Sequence, residues 1–453
     1  MPDLSGLRYL VKTFGCQMNL FDSELVCGLM EAANVKRVEE VEDADIVIFM
    51  TCCVRENADT RVFGQIASMK NLPIRFGSQL GTRLVAVGGC IGQRDGGKLI
   101  ESFPNIDVVF GTHNIEELPE LLAQAIACAK PQLSLIDDRV PYDSSFPTVR
   151  ESRFQAWLPI MKGCNNFCSY CIVPYVRGRE MSRSIEEVIA DAQTLVDDGV
   201  REITLLGQNV NSYGRDIYGN PRFAELLRAV GETGIERLRF LTSHPKDLTD
   251  ETIEAMATVD SIMPFLHLPV QSGSDKVLAD MNRRYTAEHY LGIIDKLKAA
   301  VPSIAFSTDI IVGYPTETEA DFLDTMAIVD EVGYSQAFTF IYSKREGTPA
   351  AEMENVSTRE EIQDRFDRLV EVVQRGAYDA NQVDKGKVVK VLVEGLSKRD
   401  ETKLSGRSEK NQTVHFDCPA DIEPEQMVGR IVEVRVDLAR TWYLSGELVG
   451  QPW

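Results

Sequence analysis

Three cysteines, Cys164, Cys168 and Cys171, fall within KGCNNFCSYC (162–171) at the spacing CxxxCxxC. With 10 Cys in 453 residues, chance would supply such a spacing roughly 0.005 times. A structural zinc takes four tetrahedral ligands, and no fourth Cys or His lies nearby. Disulfide pairing fails on the odd count. Thiolates are the usual ligands of iron–sulfur clusters, and a cubane normally takes four of them. Three cysteines would hold three irons and leave the fourth open to another ligand.

A second set of thiols is spread out. Cys16 sits in TFGCQMN, Cys52 in MTCCVRE and Cys90 in VGGCIGQ. Each lies just past an apolar run that reads as a parallel strand, and ligand crevices form at the carboxyl ends of such strands. The neighbouring Gly15, Gly88 and Gly89 permit close backbone approach. Three ligands again imply one open iron. Cys53 also follows the second run; neighbours in extended backbone point to opposite sides, so Cys52 is taken as ligand and Cys53 as packing. Cys27, Cys128 and Cys418 are read as packing or surface thiols.

The elements that must position these residues divide the chain into an expected 1–130, a linker at 131–154, then 155–382 and 383–453. In the first segment LRYLVKTF, ADIVIFM, RLVAVGG and IDVVFG alternate with helical stretches, the pattern of a doubly wound parallel sheet. The linker carries Pro141, Pro147 and a serine pair. In the third segment AWLPIMKG, EITLLGQ, LRFLTS, PFLHLPV, AFSTDIIVG and QAFTFIYS alternate with helices, which predicts a partial (β/α)6 barrel. Residues 357–382 read as a charged amphipathic helix. The alternating VVKVLVEG and RIVEVRVD that follow predict a small antiparallel β-barrel. The fold class is therefore α/β with a terminal β module.

The net charge is −21, which argues against a nucleic-acid coat and for a solvated acidic surface. Lys385–Trp453 is neutral, with 11 basic and 11 acidic residues, so RNA contact would use local basic patches. The longest apolar run, IVIFM, is far short of a membrane span. The opening MPDLSGLRY has no basic-then-apolar signal, so a cytoplasmic chain with reduced thiols is expected.

KGCNNFCSYC, with Tyr170 before its third cysteine, resembles the signature of radical S-adenosylmethionine (SAM) enzymes. That resemblance implies SAM on the open iron, cleaved by one electron to a 5′-deoxyadenosyl radical that removes hydrogen from an unactivated C–H bond. With the three N-terminal cysteines and a TRAM-like terminal barrel, nearly the whole chain resembles the methylthiotransferase family. GCQMNLFDSE (15–24), VRENADTRVFGQ (54–65) and CNNFCSYCIVPYVRGRE (164–180) are most similar to the branch acting on isopentenyladenosine beside the tRNA anticodon. Other branches act on threonylcarbamoyladenosine or on a ribosomal-protein aspartate. The family usually has Asn-Thr-Cys-Ser where this chain has Met50-Thr51-Cys52-Cys53; the match places the ligand at Cys52. The resemblance implies two 4Fe-4S clusters, two SAM molecules in distinct roles, a tRNA anticodon stem-loop as partner, and an electron donor and sulfur source that the sequence does not identify. A monomer is expected.

The remaining strand ends supply SAM-pocket candidates: Gly207, Gln208, Asn209, Ser243, His244, Gln271, Gly313 with Tyr314, and Arg345. For RNA contact the candidates are Arg177, Arg179 and Arg183 after the cluster loop, Arg283 and Arg284 in MNRRYT, and Lys398, Arg399, Lys403, Arg407 and Lys410 in the terminal module. No general base is assigned. A reading of another class is a non-catalytic RNA-binding iron–sulfur or sulfur carrier; reductant-dependent formation of 5′-deoxyadenosine separates the two.

Overall fold

A computed structural model describes residues 4–53, 56–78, 80–136 and 146–450. Val54 and Arg55 of VRENADTRVFGQ, and Pro141 with the serine pair of the linker, lie outside the described residues.

The first sheet contains β1 (Arg8–Thr13), β2 (Lys36–Arg37), β3 (Ile46–Thr51), β4 (Leu84–Gly89), β5 (Val108–Phe110) and β6 (Gln132–Ser134) in the order β2-β1-β3-β4-β5-β6. Every pairing is parallel. Strand residues alternate between two cores. Tyr9, Ile46, Ile48, Leu84, Ala86 and Val108 face one, and Leu10, Val47, Phe49, Val85, Val87 and Val109 the other. A parallel sheet covered on both faces needs such continuous apolar runs. The chain winds outward in opposite directions from β1 and β3, so their carboxyl ends form the switch point where ligands bind. β6 falls inside the stretch read as linker: three residues at a sheet edge are too short for any alternation to show.

The second unit opens with β7 (Gln155–Pro159) and the two-residue ribbon of β8 (Met161–Lys162) with β9 (Met181–Ser182). Then come β10 (Glu202–Leu206), β11 (Arg237–Phe240), β12 (Phe265–His267), β13 (Ala305–Val312) and β14 (Gln336–Ile341). They form two parallel runs, β11-β10-β7 and β12-β13-β14, joined by a bridge between Leu238 and Ile262. This is an open barrel of six strands. Ala156, Leu158, Ile203, Leu205, Leu238 and Phe240 pack outward in the helix-covered core. The intervening residues, among them Trp157, Thr204, Glu202 and Arg239, therefore face the lumen. The helix Arg359–Gln382 starts with a Thr358–Glu361 capping box and buries Ile362, Leu369, Val373 and Ala377.

The last unit is a closed five-stranded barrel of β15 (Val388–Ser397), β16 (Asp400–Ser408), β17 (Thr413–Asp417), β18 (Ile431–Ala439) and β19 (Leu444–Val449). Its turn after β16 is gripped by the second unit. Arg237 Nη2 and Arg239 Nη2 donate to the Ser408 carbonyl at 2.7 and 2.8 Å. Both guanidiniums also pair with Glu202, at 3.0 and 2.8 Å. The terminal barrel is thus fixed beneath the amino-terminal ends of β10 and β11.

Candidate active site

Cys16, Cys52 and Cys90 follow β1, β3 and β4, three adjacent strands ending at one level: Thr13 pairs with Met50 and Thr51 with Gly89. Cys16 is the N-cap of the helix Gln17–Ala32 and Cys90 opens the helix Cys90–Asp95. Thr51 fixes the Cys90 turn, donating from Oγ1 to the Gly88 carbonyl at 2.6 Å while accepting from the Ile91 N–H at 3.2 Å. Gly89 takes φ +84°, and a Cβ there would stand 2.6 Å from the Thr51 carbonyl oxygen. A side chain at Gly15, at φ +121°, would strike Cys52.

The four thiols at this edge form two contacts. A hydrogen bond from Cys52 holds the Cys16 thiol down to about 6, and one from Cys53 holds Cys90 down to about 7, both against the effect of burial. Cys53 is correspondingly pushed up, first by Cys90 and then by burial. Cys53 is fully buried and packs in an apolar core with Val62, Ile66 and Ile91. Met50, the departure from the family's Asn, is likewise buried among apolar side chains.

The second triad lies after β7. Cys164 and Cys168 are buried and Cys171 is half-buried. Burial is the first cause pushing Cys164 and Cys171 up to about 12. The loop is clamped on two sides. Ser169 donates its N–H to the Met281 carbonyl at 3.0 Å, and its hydroxyl meets Tyr314 Oη at 2.8 Å. Asn282 Nδ2 donates to the carbonyls of Asn166 and Phe167 at 3.2 and 2.9 Å. Arg283 is buried and directs Nη1 at Cys168 Sγ, 3.6 Å, and at Tyr170 Oη, 3.5 Å. Its charge thus faces the Cys168 sulfur.

The two triads share surroundings. Arg177, six residues after Cys171, enters the first unit and is buried. Its Nη2 donates to Asp22 at 2.7 Å and to Asn19 at 2.9 Å, and its charge acts on both Cys16 and Cys90. Cys16 also packs with Met18, Phe21, Trp157, Leu206 and Leu241, so it stands at the carboxyl ends of β10 and β11. Ile172 and Val176, between the second triad and Arg177, belong to the core containing Cys53 and Cys90. Among the described residues no group of three or more His, Cys, Asp or Glu side chains is drawn together around one ion position. A cubane spreads its thiolates over separate irons, so the two cysteine triads suit clusters by donor type and topology.

The loops after β10 and β11 hold buried polar atoms without hydrogen-bond partners: Gln208 Oε1, Asn209 Oδ1, Asn211 Nδ2, Ser243 Oγ and His244 Nε2. Buried polar groups are normally paired. Burial first, then Arg283 and Lys246, depress His244 well below the usual imidazole range, so it is neutral at pH 7. Its Nδ1 accepts from the Lys246 N–H at 3.2 Å, which leaves the proton on Nε2. One loop pair therefore offers orphaned donors and acceptors together, a set that fits the polar groups of SAM. Gln271, which follows β12 and bridges to Ile310, adopts φ +65°.

Other candidates have ordinary explanations. Gly207 closes on Met161, and Gly313 on Ile362. Tyr314 braces Ser169, and Arg345 is half-buried with its carbonyl accepting from Thr348. Three RNA candidates need correction: Arg177 and Arg283 are buried beside cysteines, and Arg183 is buried on the Pro159 carbonyl and Asp191. None of these three presents its charge to a phosphate. Lys403 pairs with Asp417, Lys410 with Asp384 and Arg407 with Glu394. Arg179, Arg284, Lys398 and Arg399 are exposed. Sequence reading missed Asn211, and also the lumenal His267, which meets Ser307 at 2.8 Å and Asp309 at 3.5 Å. Both lie in or beside strand ends already singled out, and that position was the available signal.

Three family models match: the uncharacterized protein family UPF0004 over residues 8–111, the radical SAM superfamily over 158–329 and the TRAM domain over 382–449. Among solved structures, the radical SAM methyltransferase TsrM from Kitasatospora setae superposes with a TM-score of 0.54 at 13% identity, covering 77% of this chain and 74% of that one. The cobalamin-dependent radical enzyme OxsB reaches 0.51 at 11% identity, with 82% and 56% covered; both likenesses concern the fold. The relative from Thermoanaerobacter sp. (strain X514) is 45% identical over 98% of this chain and 93% of its own length. That from Carboxydothermus hydrogenoformans is 45% identical over 97% and 99%, and that from Clostridium tetani 46% over 97% and 96%. All three carry one name, and with identity of this order sustained from the first cysteine triad to the last strand, the chain belongs to the family of tRNA-2-methylthio-N(6)-dimethylallyladenosine synthases.

Proposed function

We propose that this chain is a cytoplasmic tRNA methylthiotransferase. It replaces the hydrogen on carbon 2 of N6-dimethylallyl (isopentenyl) adenosine, in the anticodon stem-loop, by a methylthio group. Cys164, Cys168 and Cys171 would hold one 4Fe-4S cluster and Cys16, Cys52 and Cys90 another. With SAM bound, these groups supply one-electron chemistry able to break an aromatic C–H bond that no acid or base could open. The observation that carries the reading is Arg177: it leaves the second cysteine loop and ends beside the first set of thiols, which supports a scheme in which both triads serve one reaction.

The chain's own residues have three tasks in this scheme. Arg283 holds Cys168 and Tyr170 in place. The orphaned atoms at 208–211 and 243–244 bind and orient SAM. Trp157, Leu206 and Leu241, packed around Cys16, keep water from the reacting centre. The adenine must leave its stack to enter. No helix among the described residues is long and apolar enough to cross a membrane. Mass spectrometry of tRNA nucleosides from cells with and without the gene tests the proposal. Loss of the methylthio group with the isopentenyl group retained is the expected result; an unchanged profile refutes it.

A further inference from the structure

The short helix Val173–Val176 buries Pro174 and Val176. Tyr175 turns the other way and is 51% exposed. Its ring meets Phe167 edge-on, with centroids 6.0 Å apart and planes at 87°. Over the same Phe167 ring lies the Arg179 guanidinium, 4.1 Å from the centroid. Arg179 is exposed, and its guanidinium has no ion-pair partner among the described residues. Phe167 takes φ +48°, a conformation that non-glycine residues rarely adopt and that marks a functional constraint when the surroundings enforce it. Asn282 Nδ2 donates to the Phe167 carbonyl at 2.9 Å in this conformation. Arg284, also exposed, donates to Asn282 Oδ1 at 3.2 Å and brings a second cation to the same edge.

This cluster frames the CxxxCxxC loop. Phe167 immediately precedes Cys168, and the Cys164 N–H donates to the Gly178 carbonyl at 3.1 Å beside Arg179. Among the described residues the Tyr175 ring is only partly covered, and its open apolar face would gain from cover. An extruded adenosine leaves its neighbours in the RNA loop unstacked, and aromatic rings and guanidinium planes are the groups that take up such bases. Resting on the RNA substrate proposed above, we infer that Phe167, Tyr175 and Arg179 form a stacking platform for an unpaired base flanking the modified adenosine. Arg179 is placed to contact the adjoining phosphate as well.

The test uses the cluster-loaded protein and an anticodon stem-loop RNA carrying 2-aminopurine on either side of the target adenosine. Stacking on the platform quenches its fluorescence. Tyr175→Leu should weaken binding about tenfold, relieve the quenching at one flank, and raise KM more than it lowers kcat. Tyr175→Phe should restore all three. Arg179→Gln, an exposed change that leaves the loop's hydrogen bonds in place, should show the same losses in smaller degree. Wild-type affinity and quenching in both variants would overturn the platform while leaving the methylthiotransferase reading intact. So would slower turnover with unchanged RNA affinity, seen only when a protein supplies the electron; that result would assign the patch to the donor. Wild-type protein that neither binds nor modifies the stem-loop would overturn both readings.

Discussion

Cys52 and Cys53 are adjacent yet differ in partner: Cys52 meets Cys16, and Cys53 meets Cys90 from within an apolar core. With Cys52 as the ligand, Cys52→Ser should lower the iron content of the reconstituted protein to roughly half, whereas Cys53→Ser should retain it; iron analysis with electron paramagnetic resonance decides. Arg177 carries a second prediction. It and Asp22 are both buried and 2.7 Å apart, and removing one partner of such a pair costs about 3–5 kcal/mol by leaving a charge unmatched. Thermal unfolding should show Arg177→Met strongly destabilised and the Arg177→Met, Asp22→Asn double variant less so. A double variant no better than the single would refute the pairing. The placement of the six cysteines was legible because each set follows apolar runs that read as strands. The role of Arg177 was not, since its partner is 155 residues away and an arginine beside a cluster loop suits RNA as readily as a carboxylate.

At the scale of elements, the helix Gln17–Ala32 carries polar residues on its buried side: Asn19, Asp22, Ser23 and Glu24. Glu24 accepts the Glu151 N–H at 3.1 Å, and burial raises its carboxyl to about 7. Its folded-state value thus lies above the 4.5 of the free group. The folded protein binds more protons across that window, so this contribution to stability falls as pH rises from about 4.5 to 7 and stays lost above it. Glu24→Gln keeps the acceptor and removes the charge. It should melt higher than wild type at pH 8, by at most about 3 kcal/mol, and equally at pH 4; equal melting at both pH values would refute the assignment. The same helix shows how far sequence reading reaches. The ten runs read as strands in the first two units all form strands, and those buried on both faces, such as β3 and β4, announce themselves as continuous apolar runs. β2 and β6, two and three residues long at sheet edges, have no pattern to read. Which polar residues of a helix face another unit is set by docking, and only the assembled fold reveals it.

For the whole molecule, the acidic surplus and the neutral terminal module leave phosphate contact to a few exposed cations. Lys398 and Arg399 are exposed, whereas Lys403 and Lys410 are already paired. Lys398→Ala and Arg399→Ala should each weaken tRNA binding and lower the slope of log K against log salt by about 1. Lys410→Ala should change the slope less, as filter binding at several salt concentrations would show. The clamp of Arg237 and Arg239 on the Ser408 carbonyl has a further consequence. The TRAM barrel is anchored at one end of β10 and β11, and the orphaned polar atoms and Cys16 lie at the other. Between them run strands of five and four residues, roughly 15 Å of stiff backbone. Such a scaffold is a ruler: RNA held at the TRAM end would have its reach to Cys16 measured out, so a stem-loop lengthened by several base pairs should lose modification whatever its sequence.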